Sequence, residues 1–364
     1  MSVSTLHTWF DDFKPGPVNI AGPCSAESEQ QLVQTALSLN GPCRPALFRA
    51  GLWKPRTRPG TFSGVGSKGL KWMKQVKKQT GIRLTVEVAS PLHVELCLKA
   101  GIDVLWLGAR TVSNPFSVQE IAESLRGVDI PVLVKNPLNP DIDLWIGALE
   151  RINNAGIRKL AAVHRGFSPY ERTRYRNMPR WEIPIELRRR IREMPVICDP
   201  SHISGDPALI PELSQKAMDL NMDGLMVEVH NDPSSALSDS RQQLSPRQYC
   251  DMMKKLVVRC SRPEDTGFMD QLEELRNQVD SVDSQLIDLL SRRLEIIDMI
   301  GEYKSRNNVA VLQMDRWMEI LKTRLHQAGL SGLDRNFTEK YLKLLHQESI
   351  RRQTEIMRER GEQK

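Results

Sequence analysis

Imidazole and carboxylate side chains directly follow two short apolar runs between residues 195 and 230. Asp199 and His202 come after the first run, and Glu228 and His230 close the second. Side chains of these types bind divalent metal ions in proteins. A single histidine after a strand is more often a polar cap than a ligand, so the surrounding elements must decide between the two interpretations.

The two runs belong to a predicted strand–helix–strand unit. Apolar residues recur at helical spacing in residues 206–220, and the run after them is apolar without interruption, which is typical of a strand buried on both faces. In parallel α/β sheets the chemistry lies at the carboxyl ends of the strands. The four polar residues therefore occupy the positions at which such a fold has its site.

The same alternation extends through the first 260 residues. Apolar, β-branched runs predict eight strands at 18–21, 46–49, 84–88, 104–107, 132–134, 160–163, 196–198 and 225–229. Segments with helical periodicity lie between them, including 29–39, 70–79, 91–100, 118–125, 144–154 and 182–191. Eight β/α units in about 250 residues predict a closed (β/α)₈ TIM barrel. An open doubly wound sheet is the alternative, but no G-x-G-x-x-G sequence follows the first strand.

Every predicted strand delivers a polar side chain at its carboxyl end. In chain order these are Cys24, Arg49 with Lys54, Glu87, Arg110, Lys135, His164 with Arg165, Asp199 with His202, and Glu228. One such residue is an ordinary charge near a turn, whereas eight strand ends on one rim predict a single site.

The predicted site contains a set of candidate metal ligands and a set of cations. The candidate ligands are Cys24, His202, Glu228 and Asp239. A thiolate, an imidazole and two carboxylates are too rich in oxygen for structural zinc. They predict an exchangeable divalent ion, manganese first, with iron, cobalt or zinc as alternatives.

The cations predict the charge of the substrates. They are Arg49, Lys54, Arg56, Arg110, Lys135 and Arg165. Six cations on one rim repel each other unless anions bind there, and both arginine and lysine bind phosphate and carboxylate groups. The set predicts two phosphates and a carboxylate, and thus a metal-dependent enzyme that joins or cleaves phosphorylated, acidic small molecules.

After residue 258 the pattern contains helices only. Residues 259–267 read as a linker, a long amphipathic helix extends to about residue 305, and two shorter helices follow at 315–327 and 336–360. We therefore predict a barrel domain at 1–262 and an all-α three-helix domain at 263–364. Three such helices do not easily enclose their own apolar stripe, which predicts an intertwined homodimer.

Composition sets limits on location and partners. Hydrophobic residues make up 40% of the chain and charged residues 26%, and no apolar run approaches the roughly 20 residues that span a bilayer. The amino-terminal segment lacks the pattern of a secretion signal. We expect a cytoplasmic protein that does not bind membranes, with its six cysteines as reduced thiols. The net charge of +6 suits anionic substrates, and no interleaving of basic and aromatic residues favours nucleic acid.

The barrel segment resembles 3-deoxy-D-arabino-heptulosonate 7-phosphate (DAHP) synthase of type I-beta. The motifs that carry the resemblance are AGPCSAES (21–28), FRAGLWKPRTRPGTFSG (48–64), LWLGART (105–111), VLVKNP (132–137), HRGF (164–167), CDPSHISG (198–205) and VEVHNDPSSALSDSRQQL (227–244). The resemblance covers residues 15–258. It implies the condensation of phosphoenolpyruvate with erythrose 4-phosphate and the release of phosphate, at the entry to the shikimate pathway of aromatic amino acid biosynthesis.

The resemblance also implies roles for individual residues. The four candidate ligands fall on the metal positions of the family, and Arg49, Lys54, Arg110, Lys135 and Arg165 fall on the positions that bind phosphoenolpyruvate. The KPRT motif at 54–57 falls on the site for erythrose 4-phosphate, with Arg56 on its phosphate and Thr57 beside it. Lys54 is also a candidate proton donor to the developing alkoxide.

One alternative assignment and one departure accompany this resemblance. The related synthase that uses arabinose 5-phosphate is the nearest alternative, but it carries a K-A-N-R-S-S type motif where this chain has KPRT. Members of type I-beta often have an amino-terminal ferredoxin-like regulatory domain. Only 17 residues precede the first predicted strand, so we expect that domain to be missing.

The tail resembles an all-helical, AroQ-type chorismate mutase. The motifs are LEELRNQVDSVDSQLIDLLSRRLEII (272–297), GEYKS (301–305), DRWMEIL (315–321) and HQESIRRQ (346–353). The resemblance implies that chorismate rearranges to prephenate among Arg293, Lys304, Arg316 and Gln353, with Arg276 supplied by the partner chain. Trp317 is a departure, because the family commonly has a carboxylate there for the substrate hydroxyl.

The tail therefore has three interpretations. It is a second catalyst, a dimerising sensor through which prephenate or chorismate inhibits the barrel, or a purely structural fusion. The first two are compatible with each other, and feedback requires a ligand that binds two states of the protein differently. The sequence leaves open the physiological metal, the assembly beyond a dimer, the identity of the inhibitor and the effect of Trp317.

Overall fold

The computed structural model describes residue 3 and residues 6–13, 16–54, 60–171, 173–259 and 266–361, with the backbone alone for 266–268 and 360–361. The chain forms two compact units, Met1–Ser261 and Arg262–Lys364. Among the described residues, no helix combines the length and the apolar sequence needed to cross a membrane.

The first unit is a closed parallel barrel of eight strands. In chain order and in barrel order they are β1 (Val18–Gly22), β2 (Leu47–Ala50), β3 (Arg83–Val88), β4 (Val104–Leu107), β5 (Val132–Lys135), β6 (Leu160–His164), β7 (Val196–Cys198) and β8 (Gly224–Glu228). Each strand pairs in parallel with its neighbours, and β1 closes the barrel against β8. The (β/α)₈ prediction is confirmed, with strand ends displaced by about one residue from the sequence pattern.

Helices connect the strands on the outside. They are α1 (Glu29–Leu39), α2 (Lys68–Thr80), α3 (Pro91–Ala100), α4 (Ala109–Val112), α5 (Pro115–Ser124), α6 (Ile142–Asn154), α7 (Glu182–Arg190), α8 (Pro200–Ser204), α9 (Ile210–Asp219) and α10 (Pro246–Lys255). Short 3₁₀ helices lie at Phe10–Asp12, Pro207–Leu209, Pro233–Ser235 and Ser240–Gln242. Serine, asparagine and aspartate side chains cap the first turns of several helices, as Ser28 does for α1 and Asp141 for α6.

The sequence pattern does not predict the short helix α8. Asp199 caps it, because its Oδ1 accepts a hydrogen bond from the His202 backbone N–H over 3.1 Å. Five residues are too few for a helical periodicity to be visible. The helix matters because it carries His202 at the end of β7.

Apolar side chains fill two layers of the barrel. One cluster occupies the inside, with Ile20, Trp106 and Met226 fully buried, and Trp9 packs against it and donates its indole N–H to the Leu160 carbonyl. The larger cluster lies between the strands and the outer helices. The rim formed by the carboxyl ends of the strands therefore rests on a packed interior, as is general in such barrels.

One expectation about the cysteines is wrong. Cys43 and Cys250 form a disulfide across a sequence separation of 207 residues, with their Cα atoms 5.4 Å apart. Cys24, Cys97 and Cys198 are free and buried, and Cys260 lies outside the described residues. Spacing along the sequence could not show the pair, because the fold alone brings the α1–β2 loop next to α10.

The described part of the second unit, residues 266–361, consists of three helices, as the sequence predicts. They are α11 (Thr266–Arg306), α12 (Met314–Leu330) and α13 (Arg335–Gly361). Helix α11 packs against α13, and Gly301 allows the close approach, since a Cβ there would lie 3.2 Å from Gln353 Cγ. Many large apolar side chains of α11 stay exposed, including Val279, Ile287 and Met299 at 58–66%.

The junction of β1 and β8 generates a stability prediction. A Cβ at Gly224 would lie 2.2 Å from the Val18 carbonyl oxygen of the paired strand. We expect Gly224→Ala to lower the free energy of unfolding of the barrel by about 1–3 kcal/mol or more, because the backbone must shift. Urea unfolding followed by circular dichroism measures it.

Gly147→Ala is the matched control for this substitution. Gly147 lies within α6, and the nearest atom to its new Cβ would be Arg151 Nη1 at 3.1 Å, the far end of a flexible side chain that can shift. We expect it to be neutral or stabilising by up to about 1 kcal/mol, because alanine has the higher helix propensity. Equal stability of the two variants would contradict the close-contact argument.

Candidate functional site

A thiol and two carboxylates converge at the carboxyl ends of β1 and β8. One ligand atom from each of Cys24, Glu228 and Asp239 lies within 4.8 Å of the other two. Cys24 Sγ is 3.2 Å from Asp239 Oδ2, and His202 Nε2 is 3.7 Å from Glu228 Oε1. The structure thus brings three of the four candidate ligands together and places the fourth, His202, beside Glu228 alone.

Strand pairing and two loops position these side chains. Glu228 ends β8 opposite Gly22, the last residue of β1, and Cys24 lies two residues after Gly22. Asp239 has a left-handed backbone with φ of 49°, which directs the loop after β8 back over the rim. His202 Nδ1 lies 2.8 Å from Asp199 Oδ2, which orients the imidazole with Nε2 towards Glu228.

Hydrogen bonds join the loop of Cys24 to the loop of Asp239. The Cys24 backbone N–H donates to Gln243 Oε1 over 2.9 Å, and the hydroxyl oxygens of Ser25 and Ser238 lie 2.5 Å apart. Further along, the Leu237 N–H donates to a Glu27 carboxylate oxygen over 2.8 Å. The two loops therefore form one body around the site.

Three predicted cations pair with the acidic residues of the rim. Arg49 Nη2 lies 3.1 Å from Glu228 Oε1, and Lys54 Nζ lies 3.2 Å from Cys24 Sγ. Lys135 Nζ lies 2.7 Å from Asp199 Oδ2. Arg49 is 1% exposed, and its Nε and Nη1 have no hydrogen-bond partner in the described part of the chain. A buried guanidinium with spare donors is suited to an anionic ligand.

The electrostatic environment sets the protonation of the ligands. Burial, and then the nearby Glu228 carboxylate, raise the pKa of Cys24 to about 12, so the side chain is a thiol when no cation binds. Burial opposes the charge of Asp239, but Arg176 and His202 outweigh it and hold the pKa of this carboxyl below its usual range. Asp239 is therefore ionised and available as a ligand.

A second group of cations surrounds Arg165. Its Nη1 donates to Asn177 Oδ1 over 2.8 Å, and the side chain is buried. Burial lowers the pKa of Arg165 to about 10, and the positive charges of Arg176 and Arg110 act in the same direction. Arg110 is exposed on α4, directly after β4. An anion beside Arg165 and Arg110 would offset this repulsion, whereas Arg176 already has the Asp239 carboxylate as its partner.

Other predicted residues lie outside this arrangement. Arg56 and Thr57 fall outside the described residues. Glu87 accepts the Trp106 indole N–H, and His230 faces Glu27, with 3.7 Å between Nε2 and Oε2. His164 is fully buried between Phe167 and Trp181 and contacts neither carboxylate of the ligand set among its described contacts.

Sequence reasoning missed three polar residues of the site. Arg176 lies 3.1 Å from Asp239, Gln242 donates to Glu228, and Gln243 holds the Cys24 backbone. The two glutamines belong to the quoted 227–244 motif, which could have signalled them. Arg176 lies in an arginine-rich loop where nothing in the sequence distinguishes it from its neighbours.

The helical unit contains a separate polar cluster. Arg293 Nη1 donates to Ser349 Oγ over 3.0 Å, and Gln353 Nε2 donates to the Ser349 carbonyl over 3.1 Å. Gln353 is 6% exposed, and its Oε1 has no hydrogen-bond partner among the described residues. An arginine and an amide are thus held together between α11 and α13.

The other predicted residues of this unit have different surroundings. Lys304 is half-buried beside a cavity of about 480 Å³ that Ile300, Tyr303 and Gln313 also line, and burial lowers its pKa. Arg276 pairs with Glu273 and Arg316 pairs with Glu319, in each case three residues away on the same helix. Trp317 stacks on the His346 ring, with 3.8 Å between ring centroids.

Comparison with known proteins decides the family. The family model of the DAHP synthetase I family matches residues 16–260, and the chorismate mutase type II model matches residues 275–354. The chain belongs to the DAHP synthetase I family. It also carries a chorismate mutase type II domain, so synthase and mutase domains occur in one chain.

Relatives and solved structures agree with this assignment. A phospho-2-dehydro-3-deoxyheptonate aldolase of Thermotoga maritima is 32% identical over 65% of this chain and 69% of its own length. A 2-dehydro-3-deoxyphosphooctonate aldolase of Polaromonas naphthalenivorans is 28% identical over 60% of this chain and 82% of its own. The crystal structure of DAHP synthase from Thermotoga maritima has a TM-score of 0.60 at 28% identity, over 67% of this chain and 68% of its own.

The buried His164 predicts a pH dependence of the stability of the synthase barrel. Burial lowers its folded-state pKa from 6.5 to about 3. Above pH 6.5 the imidazole is neutral in both states and the stability is complete. As pH falls from about 6.5 towards 3, the unfolded state alone takes up the proton, so each pH unit removes up to about 1.4 kcal/mol from the unfolding free energy.

Urea unfolding of the wild type and His164→Phe between pH 4 and 7.5 measures this effect. The variant should lose less stability on acidification than the wild type does. His7→Asn, at an exposed histidine, should retain the wild-type slope. Identical slopes for all three proteins would refute the assignment to His164.

Proposed function

We propose that the barrel condenses phosphoenolpyruvate with erythrose 4-phosphate to give DAHP and phosphate, and that the reaction depends on a divalent metal ion. The observation that carries the proposal is the convergence of three candidate metal ligands, with His202 beside one of them, next to a buried guanidinium with unused donors. The name of the Thermotoga relative supports the same reaction.

The ligand set fits a divalent cation. Cys24, His202, Glu228 and Asp239 would hold it, and the oxygen-rich set leaves the choice among manganese, iron, cobalt and zinc open, with manganese preferred. When bound, the ion supplies a Lewis acid to the aldehyde oxygen of erythrose 4-phosphate. Asp199 contributes indirectly, because it orients His202.

The cations of the rim hold the two substrates in line. Arg49, Arg110, Lys135 and Arg165 bind the phosphate and carboxylate of phosphoenolpyruvate, so that its enol carbon faces the aldehyde. The enol carbon attacks the aldehyde carbon, water adds to the carbon that bears the phosphate, and phosphate leaves. Lys54, whose Nζ lies 3.2 Å from Cys24, donates a proton to the developing alkoxide.

The eight-carbon sugar acid synthases are the competing assignment, since relatives named 2-dehydro-3-deoxyphosphooctonate aldolase match at 25–28% identity. The KPRT sequence at 54–57, with Arg56 and Thr57, favours erythrose 4-phosphate as the acceptor. Phosphate release with erythrose 4-phosphate and with arabinose 5-phosphate compares the two. A higher kcat/KM with arabinose 5-phosphate would reverse the assignment.

The proposed metal site predicts the effect of losing the thiol. Cys24→Ser should reduce the affinity for Mn²⁺ or Co²⁺ by at least about tenfold and lower DAHP formation with it, because a soft thiolate is replaced by a hydroxyl. Equilibrium dialysis and metal analysis measure the affinity, and chelation with EDTA should abolish DAHP formation in the wild type.

Cys97→Ser is the control, since Cys97 is equally buried but lies on α3. It should bind the metal as the wild type does. Full activity after exhaustive chelation, or unchanged affinity in Cys24→Ser, would remove the metal from the proposal.

We propose that the helical unit converts chorismate to prephenate. Arg293 and Arg316 would bind the carboxylates, and Lys304 and Gln353 would stabilise the negative charge that develops on the ether oxygen. The exposed apolar side chains of α11 support a homodimer through this unit, in which Arg276 of the partner subunit completes the site. The stacked Trp317 replaces the carboxylate of the family, so a weaker interaction with the substrate hydroxyl is expected.

Gln353→Ala tests this assignment. It should lower the rate of chorismate disappearance by about 10²–10³-fold, because one donor to the developing charge is lost. Gln327→Ala, at an exposed glutamine of α12, is the control and should keep the wild-type rate. A wild-type rate only slightly above the uncatalysed one would favour the alternative, a sensing and dimerising module with weak mutase activity.

We also propose that prephenate inhibits the synthase through the helical unit. The synthase rate against prephenate concentration, compared between the wild type and Gln353→Ala, separates the interpretations: inhibition weakened by the variant supports feedback through this site. A synthase rate that does not change with prephenate concentration in either protein indicates that the two catalytic domains are joined without coupling between their sites.

A cytoplasmic location is part of the proposal. The site binds phosphorylated metabolites, and no described helix can cross a membrane. Disulfides are rare in that compartment, so the redox state of Cys43 and Cys250, trapped by alkylating free thiols at the moment of cell lysis, tests the location: two free thiols support it, and an intact disulfide contradicts it.

A further inference from the structure

A chain of polar contacts joins the two carboxylates of the candidate metal site. Arg176 lies in the connection between β6 and α7, and its Nη1 is 3.1 Å from Asp239 Oδ1. The same nitrogen donates to Gln242 Oε1, and Gln242 Nε2 donates to Glu228 Oε2 over 2.5 Å. The contacts therefore run from Asp239 through Arg176 and Gln242 to Glu228.

Each carboxylate divides its two oxygens between this chain and the ligand set. Asp239 gives Oδ1 to Arg176, while its Oδ2 lies 3.2 Å from Cys24 Sγ. Glu228 gives Oε2 to Gln242, while its Oε1 lies 3.7 Å from His202 Nε2. The chain thus leaves one oxygen of each carboxylate facing the ligand atoms and fixes the rotation of both groups.

The backbone around Arg176 is fixed to α8. The Arg176 N–H donates to the Ser204 carbonyl over 3.0 Å, and Asn177 Nδ2 donates to the His202 carbonyl over 2.6 Å. Gly205, with φ of +70°, allows this approach, since a Cβ there would lie 2.6 Å from Arg176 Cβ. The segment that carries Arg176 therefore has a fixed position relative to His202.

An ordinary surface ion pair is the simpler explanation of Arg176, whose side chain is 41% exposed. Exposed pairs contribute little and rarely fix a geometry. Gln242 argues against that explanation. Its side chain is 2% exposed, its amide oxygen accepts from Arg176, and its amide nitrogen donates to Glu228. A buried amide between a guanidinium and a carboxylate has no freedom to rotate without losing a bond.

We propose that Arg176 and Gln242 are positioning residues that set the separation and rotation of the Asp239 and Glu228 carboxylates for a divalent cation. The inference rests on the metal-dependent function proposed above. Neither residue touches a substrate in this role. Their contribution is to hold a preformed pair of oxygen ligands, so that binding an ion requires little rearrangement.

Arg176→Met and Gln242→Met test the proposal in the full-length protein. Each should weaken the binding of Co²⁺ and Mn²⁺ by about 10–100-fold, the size that is usual for residues behind metal ligands. The absorption spectrum of the Co²⁺-loaded protein should also change, because it reports the ligand geometry. Saturating metal should restore much of kcat, since the substrate-binding cations are unaltered.

Arg241→Met is the matched control, because Arg241 is exposed and precedes Gln242 in the same 3₁₀ helix. It removes the same charge near the site and should leave affinity and spectrum unchanged. Affinity in Arg176→Met that equals or exceeds the wild-type value, with the same spectrum, would overturn the proposal, since Arg176 would then act only as a neighbouring charge.

Parallel titrations of the wild type and Cys24→Ser identify which proposal fails. If the wild type binds neither ion, or Cys24→Ser binds as tightly as the wild type, the metal site itself is wrong and the inference falls with it. If those two proteins differ as expected while Arg176→Met binds normally, the metal site stands and only the positioning role is refuted. Thermal unfolding of each variant separates lost affinity from lost structure; if Gln242→Met does not fold, Arg176→Met decides.

Discussion

Repulsion between the carboxylates of Glu228 and Asp239, which lie with the Cys24 thiol within 4.8 Å of one another, is the constraint to which the barrel rim responds. The structure gives each of the three its own cation: Arg49 for Glu228, Lys54 for Cys24 and Arg176 for Asp239. Asp199, between His202 and Lys135, continues the alternation of charge. Without these partners, buried groups of like charge could not stay ionised so close together.

The barrel supplies the rigidity that this arrangement requires. Parallel pairing fixes the height of every strand end relative to its neighbours, and an interior of fully buried side chains prevents the ends from sliding. The loops that carry Cys24 and Asp239 then add hydrogen bonds of their own. The polar contacts of Arg176 and Gln242 then need to fix only the rotation of the Asp239 and Glu228 carboxylates.

Sequence alone predicts the features that repeat along the chain. The alternation of apolar runs and helical periods predicts the eight strands, and the residues at the ends of these runs include three of the four candidate ligands, Cys24, His202 and Glu228. It misses what depends on a single three-dimensional contact. Arg176 contacts Asp239 across a sequence separation of 63 residues without any periodic signal, and Cys43 meets Cys250 only because the barrel closes. The sequence pattern does not predict helix α8, because a helix of five residues is too short to show a helical period. The roles of Arg56 and Thr57 and the pairing of two helical units remain predictions.

The seam between β1 and β8 has a consequence for the order in which the protein acquires its site. Cys24 follows the first strand of the barrel, whereas Glu228 and Asp239 belong to the end of the last, and these two strands are neighbours only after closure. A ribosome therefore releases a nearly complete barrel before any ligand set exists. The proposed metal site thus forms only in the finished fold, because a chain that ends before β8 lacks two of the three clustered candidate ligands.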